Sequence, residues 1–597
     1  MAAATVHRLP HVGADCREYT LFSGLDDVSD ALQRGRNIYN RNDPVDPSIL
    51  QASDQEPVRL EASPTSEQEV QSAEPWRKHN DVVEVAGEGR DVSAAASSDA
   101  AFKAAFQETM DLIPPPMSMR SLLAPFRETG EAHLRDLSAR VRVFGTAFQA
   151  WEKLHQAPVK GMISYRNIIQ HLRSAQGSPQ DISLSIQSYD AFRSYLHQLA
   201  ARLFPGAYQY FGDLMAMHAS FYKTGRGLVF TMGDHQVNYV LTSIRSFRKL
   251  GCALPIEIMY LGDDDLGEEE RGLLEALPGV VTRDISRMIE DEGWKLWGWA
   301  AKPWAILMSS FQEVLFVDAD VLFFVDPEIL FDHPQYQQTG ALFFKDRNLS
   351  RERKRKWLRK VLPKPISEQV KRNNRLWSGE SGHMQDSGVL LIDKWRHFVP
   401  LLLTARLNGI DRDGNEEGGK RGVYDMVYGD KETFWLGWEM AGALDYAFHS
   451  GSTGIMGSLQ KKDMRHHPSS DETAEDKETS RAQYHVRHHP NTPSASQNFT
   501  VCSPQLLHFD DSGSPLWLNG WLSHNKFAHA GDIDISAFQV FIREPAKDGR
   551  SNSEMWQVQE ANTCCLTAES STEISDEERE VLKMLISLAQ EIKWDVF

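Results

Sequence analysis

The sequence predicts an α/β protein built on a largely parallel sheet, and three observations predict it. From Gly225 onward, short apolar, β-branched runs alternate with amphipathic helical stretches, the pattern of parallel strands joined by right-handed crossovers. The run Val314 to Phe324 is apolar and aromatic but is broken by Asp318 and Asp320, two carboxylates set at i and i+2. Gln385 to Asp393 is a polar turn that runs into a second buried strand.

The segment up to about Ala100 is rich in Ser, Glu, Asp and Ala. It reads as poorly ordered linker, with one short helix over Leu25 to Asn40. Residues 101–222 form a helical stem. Its two amphipathic stretches, Ser121 to Leu154 and Tyr189 to Leu203, follow the breaker Pro114-Pro115-Pro116. The catalytic body spans 223–545. Its first strand, Gly227 to Asp234, ends in a small-residue turn, and a helix follows over Val237 to Leu250. Next come a strand over Ile256 to Gly262, the turn Asp263-Asp264-Asp265, a helix to about Leu277 and a short strand at Val280-Val281. The helix Lys302 to Phe311 leads into the Asp318/Asp320 run, read as one strand, and Ala341 to Phe344 is another strand.

Arg347 to Arg375 is basic, helix-forming and split by Pro363 and Pro365. It is either a solvated helix pair or a lid whose cations meet a diphosphate. Gly414 to Gly422 is a polar loop. Residues 450–496 read as a low-complexity insertion whose histidines (His466, His467, His485, His488, His489) lack metal-ligand spacing. After the core resumes at Val501, residues 546–597 are a tail with a terminal helix, Ser575 to Ile592.

A net charge of −19 excludes a general nucleic-acid binder. The five cysteines form no C-x-x-C pair, and the sequence leaves any disulfide pairing open. Sequons stand at Asn348 and Asn498. No apolar run reaches the length of a membrane span, and the start is not a signal peptide.

In a strand, side chains alternate between faces, so Asp318 and Asp320 point the same way and can reach one hard cation at the sheet's carboxyl edge. The plain alternative is a strand that ends in a solvated turn. If the ligand is a sugar nucleotide, the leaving diphosphate needs a divalent ion. Two carboxylates plus one imidazole, that of His508, suit Mn²⁺. Lys302, just upstream of the carboxylates, can place a compact positive charge on a phosphate or be a surface helix-start lysine. Asp386, Asp430 and Glu432 are acids at turns beside apolar runs, placed to hold sugar hydroxyls or act at the anomeric carbon.

Several blocks then occur in one order: the Leu228 to Asp234 strand, Lys302-Pro303-Trp304-Ala305, Phe316-Val317-Asp318-Ala319-Asp320, Glu380 to Gly388, Tyr428 to Trp435, and Leu507-His508-Phe509 with Pro515-Leu516-Trp517. This order resembles the fungal Golgi α-mannosyltransferases of glycosyltransferase family 71. The resemblance implies a GT-A fold, GDP-mannose as donor, Mn²⁺ as metal and retention of configuration in an α-1,3 or α-1,2 linkage to a mannosylated glycan or glycoprotein acceptor. It also implies that Asp318, Asp320 and His508 ligate the metal and that Lys302 serves the phosphates. Thr231, Gly233 and Asp234 then end the nucleotide-binding strand, and Asp386, Asp430 and Glu432 face the sugar and acceptor. The implied setting is the Golgi lumen, as a type II membrane protein that could meet other Golgi transferases, although no signal anchor is visible in this sequence. The rival readings are a non-catalytic mannan- or partner-binding relative, a UDP-sugar transferase, and a phosphohydrolase. The last would want Gly and Thr where Val321-Leu322 stand.

Overall fold

The computed structural model describes residues 92–159, 162–174, 177–349, 352–415, 417–458, 499–523, 538–545, 556–559 and 563–592. The helix read at Leu25 to Asn40 and the histidines from His466 to His489 lie outside the described residues. From residue 105 onward the chain is one compact unit. Residues 21–104 make a separate unit, described only from 92, where the helix Val92–Asp111 begins.

Helices α1 (Gly130–His155) and α2 (Pro179–Leu203) occupy the region read as stem. Each buries one stripe: Leu134, Leu137, Val141, Phe144 and Phe148 on α1, and Phe192, Tyr195, Leu196 and Leu199 on α2. A stripe of that spacing needs a partner face, and the two helices supply it to each other. A small hairpin, β1 (Gln156–Val159) and β2 (Met162–Tyr165), lies between them in sequence.

The main sheet takes β3 (Arg226–Thr231), β4 (Ile256–Tyr260), β5 (Val280–Asp284) and β6 (Glu313–Val317) as its parallel half. β7 (Val321–Phe323) leaves for another sheet, and β8 (Ala341–Lys345), β9 (Gln385–Asp393) and β10 (Ala447–Phe448) complete the first. Read from its free edge the order is β5-β4-β3-β6-β9-β8-β10, with β9 antiparallel to both neighbours. Numbered within the sheet this is 3-2-1-4-6-5-7 with strand 6 reversed, a mixed sheet as the GT-A resemblance implied. Between β3 and β6 the winding changes direction, so their carboxyl ends open a crevice that connections do not cross.

The first crossover helix, α3 (Val237–Leu250), buries Val240, Ile244 and Phe247 against this sheet and is closed by Gly251 at φ 109°. The last helix, α4 (Asp576–Glu591), packs on α3. Ser575 caps it, with Glu578 reaching back to the Ser575 N–H, and Leu582, Leu585 and Leu588 are buried. Each such leucine contributes about 2 kcal/mol of burial.

Two readings need correction. The stretch taken as low-complexity insertion begins with an ordered strand, β11 (Thr453–Gly457), fully buried between partners. The tail beyond 545 holds strands as well as the helix. β12 (Phe499–Ser503) pairs with β17 (Cys564–Ala568), which pairs with β16 (Trp556–Val558). The remaining strands, β13 (Leu506–Phe509), β14 (Pro515–Asn519), β15 (Val540–Arg543) and β18 (Thr572–Glu573), join β11 and β7 in a six-stranded antiparallel sheet ordered β18-β15-β11-β13-β14-β7. These strands are short and their partners are distant in sequence, so the ladder that stabilises them cannot be read locally. Within the β12–β17 ladder, Cys502 faces Cys565 in register and the two form a disulfide.

Candidate active site

Asp318 and Asp320 do not lie within one strand, as the sequence suggested. β6 ends at Val317, the Val321 N–H closes a turn onto the Asp318 carbonyl at 3.1 Å, and β7 starts in the second sheet. The apolar residues on either side of the acids therefore enter two different sheets, and one hydrophobic core packs both. The turn is pinned from both sheets: the Asp318 N–H donates to the Gly388 carbonyl at 2.8 Å, and the Trp521 N–H to the Asp320 carbonyl at 3.0 Å. Trp521 holds φ at 64°, a conformation that costs a non-glycine residue energy.

Lys302 lies on the helix Ala301–Met308, which is buried along its length. Its Nζ donates to Asp318 Oδ2 at 2.8 Å and to Ser387 Oγ at 3.1 Å, and it pairs with Asp430 Oδ2 at 3.5 Å. That Asp430 oxygen is buried and makes no hydrogen bond. Desolvation pushes the Asp318 carboxyl up to about 8, with Asp320 and Asp430 adding like charge and Lys302 opposing. The side chain keeps 20% exposure, so this is the desolvation of a recess rather than of a core. One lysine among these acids leaves the pocket short of positive charge.

Asp386 begins the antiparallel strand β9 and is completely buried. Its Oδ2 meets His508 Nε2 at 3.0 Å, while Oδ1 accepts from the Gly388 N–H at 3.0 Å and from Asn519 Nδ2 at 3.2 Å. Burial alone would raise its pKa, but the His508 bond, the Lys431 charge and the Gly388 N–H hold it well below the carboxylate range. An ionised Asp386 can only accept, so His508 Nε2 carries a proton, and Nδ1 is the ring nitrogen that can present a lone pair. The ring is fixed by stacking on Trp517 at 3.8 Å, with Phe344 edge-on at 5.5 Å. Lys431 binds Asp346 Oδ2 at 3.0 Å. Although burial opposes it, that contact lowers the Asp346 pKa.

Glu432 is buried and committed to structure: it accepts from the Met384 N–H at 2.7 Å and from the indole of Trp435. Burial pushes it up to about 7, partly offset by those bonds. Thr231 ends β3. At Gly233, an added Cβ would come within 2.7 Å of Asp265 Oδ1, so no side chain fits there. Asp234 Oδ1 accepts from the Gly267 N–H at 2.8 Å. The structure thus brings Lys302, Asp318 and Asp430 together, and Asp386 with His508. It sets Thr231, Gly233 and Asp234 at the neighbouring strand end and Glu432 behind the start of β9.

Asp346 and Asn519 were missed by sequence reading. Asp346 follows β8 directly, an acid after an apolar strand, which is the same weak signal that Asp386 gave. Asn519 carried none. In the basic segment, Lys354 Nζ donates to the Met426 carbonyl at 2.8 Å and Arg375 pairs with Glu544 at 3.1 Å, so these cations are spent within the protein.

The donor set fits a divalent cation. Metal-bound imidazoles donate their second N–H to a carboxylate, and His508 does so to Asp386 with Nδ1 left for an ion. Asp318, Asp320 and His508 nevertheless do not bring one ligand atom each within 4.8 Å of the others; Asp318 is turned to Lys302 instead.

A mixed sheet of this order, with a carboxylate turn and lysine at its switch point, has the GT-A fold. Residues 225–510 match the family described as "Mannosyltransferase putative". Over that body the chain resembles fungal α-1,3-mannosyltransferases. It is 26% identical to MNT3 of Saccharomyces cerevisiae, across 54% of this chain and 49% of that one. To MNN1 of the same yeast it is 24% identical, across 52% and 42%. The match thus spans about half or less of these relatives' own length. Core-mannan synthase A of Aspergillus fumigatus, solved in an Mn/GDP form, superposes with a TM-score of 0.25 at 11% identity, covering 38% of this chain and 73% of that one. So small an overlap leaves the fold to rest on the strand order.

Proposed function

We propose that this chain is a retaining α-mannosyltransferase that moves mannose from GDP-mannose to a mannose-containing glycan, in an α-1,3 linkage before an α-1,2 one. The observation that carries this is the Asp386-held imidazole of His508 in the same crevice as the Asp318/Asp320 turn and Lys302. The names of the relatives matched by residues 225–510 supply the sugar.

Asp318, Asp320 and His508 Nδ1 would hold Mn²⁺, which supplies charge neutralisation for the departing diphosphate. The chain's own groups do the rest. Lys302 leaves Asp318 for a phosphate oxygen, a compact charge moving about one hydrogen-bond length. The β3 end at Thr231, Gly233 and Asp234 lets the nucleotide approach backbone closely. Asp386 spends its oxygens on His508, Gly388 and Asn519, so it orients the imidazole and has none left for a glycosyl adduct. Asp430 Oδ2, buried without a hydrogen bond, accepts from a sugar hydroxyl. Glu432 positions the Met384–Gln385 backbone. Retention then follows from attack on the face the phosphate leaves, with a phosphate oxygen taking the acceptor proton. The Cys502–Cys565 disulfide supports an oxidising, secretory compartment such as the Golgi lumen. Among the described residues no helix is long and apolar enough to cross a membrane.

The test is transfer from GDP-mannose to an α-mannobioside, with Mn²⁺ or with chelator, read by mass and then by NMR for linkage. A metal-dependent gain of one hexose is expected. Binding of UDP in preference to GDP, or a mannosyl adduct trapped on Asp386, overturns the reading.

A further inference from the structure

Behind the crevice, on the far side of Phe344, three residues from distant parts of the chain converge. His333 follows the 3-10 turn Pro327–Asp332, His449 follows β10, and Asp511 lies in the β13–β14 turn. Each offers a ligand atom, and the three atoms lie within 4.8 Å of one another. The imidazoles are 4.6 Å apart, centre to centre, tilted by 42°. His333 Nε2 meets Asp511 Oδ2 at 3.3 Å.

We propose that His333, His449 and Asp511 form a second metal site, a structural one for zinc or a similar borderline ion, separate from the crevice. Two imidazoles and one carboxylate are the donor set such ions take, with a water completing four ligands. Two further observations support it. His333 Nδ1 is buried and has no hydrogen-bond partner, so the ring already lacks a contact that buried polar groups normally have. His449 is 3% exposed, so its ring is held in place by the surrounding protein. The Gly451 N–H donates to His449 Nδ1 at 3.0 Å, which keeps the ring's lone pair on Nδ1, so an ion bound at that nitrogen would displace this hydrogen bond. Asp511 is 56% exposed and gives the ion a route in, and the Ser450 hydroxyl orients its other oxygen.

The site bears on the crevice through packing. Phe344 stacks on His449 at 5.1 Å and meets His508 edge-on at 5.5 Å, and Asp511 lies in the turn that follows the His508 strand. An ion here would tie the ends of β10 and β13 to the segment before β8 and brace the wall behind His508.

The experiment uses the full, tag-free chain stripped with chelator and titrated with Co²⁺ as a visible probe, then with Zn²⁺. One equivalent should give the intense visible bands of four-coordinate Co²⁺ and be displaced by Zn²⁺, with a rise in Tm. His333→Gln and Asp511→Asn, both at the accessible edge, should each abolish those bands or weaken that equivalent at least tenfold. Asp318→Asn should keep it. Replacing His466, His467, His485, His488 and His489 together should also keep it, which excludes binding by that histidine-rich stretch. No bound equivalent in the wild type, or the same bands in His333→Gln and Asp511→Asn, overturns the proposal.

Discussion

Asp318→Asn keeps the shape of the turn and removes one charge, and its effect should depend on pH in a calculable way. The Asp318 pKa stands at about 8 in the folded protein against an ordinary 3.8. A raised carboxyl favours the folded state fully below its unfolded pKa and loses that advantage as pH rises toward 8. At 1.36 kcal/mol per pKa unit, the interval corresponds to about 6 kcal/mol. Residual exposure of one-fifth and reorientation of Lys302 reduce what is measurable to about 1–2 kcal/mol. Asparagine mimics the protonated form at every pH. In metal-free buffer the variant should therefore match the wild type only below about pH 4, gain a little on it by pH 5 and melt a few degrees higher near pH 8. Saturating Mn²⁺ should reverse the order, because only the wild type gains about 2.7 kcal/mol at a hundredfold excess over Kd. Thermal melts at pH 5, 6.5 and 8, with and without Mn²⁺, measure both effects. An equal loss of Tm at pH 5 and pH 8 would refute the reasoning, since it would mean that Asp318 is ionised throughout and held by Lys302.

Lys302→Met should lower kcat by about a hundredfold or more, the cost of removing one preorganised charge from developing negative charge; steady-state kinetics with KM nearly constant would confirm it. Gly388→Ala places a Cβ 2.7 Å from Asn519 Nδ2. It should displace Asn519 from Asp386 and cut turnover while the circular dichroism stays native. Asn348 is only 1% exposed, so its sequon should carry no glycan, and peptide-N-glycosidase treatment should leave no deamidation at that position by mass. Cys565→Ser should destabilise the three-stranded sheet by about 2–4 kcal/mol, read as a drop in Tm measured without reductant.

Much of this arrangement was legible because its signals are local. Apolar runs of strand length, a helix between each pair and acids at their ends follow from side-chain periodicity, and they placed the starts of β3 to β6 within a residue and gave the helix Val237–Leu250 and β9 their full bounds. The candidate acids, Lys302 and His508 were each visible as a polar residue interrupting or closing an apolar run. Periodicity failed at Asp318-Ala319-Asp320. A run that is apolar on both sides looks like one strand, whereas Val317 and Val321 enter different sheets. It failed again for β11, β16 and β17, short strands that exist because of partners far along the chain.

The sequence by itself determined which residue types stand at the carboxyl edge, since burial tolerates an acid in an apolar run only where a cation or a hydrogen bond meets it. Tertiary structure alone decided what each acid does. His508 and Asp386 are 122 residues apart and become a hydrogen-bonded pair only when β13 crosses β9. Lys302 and Asp430 meet only across the Asp318 turn. Cys502 finds Cys565 rather than another thiol because strand register sets them opposite each other. Roles of this kind depend on distances between side chains, and the order of residues along a chain does not contain those distances.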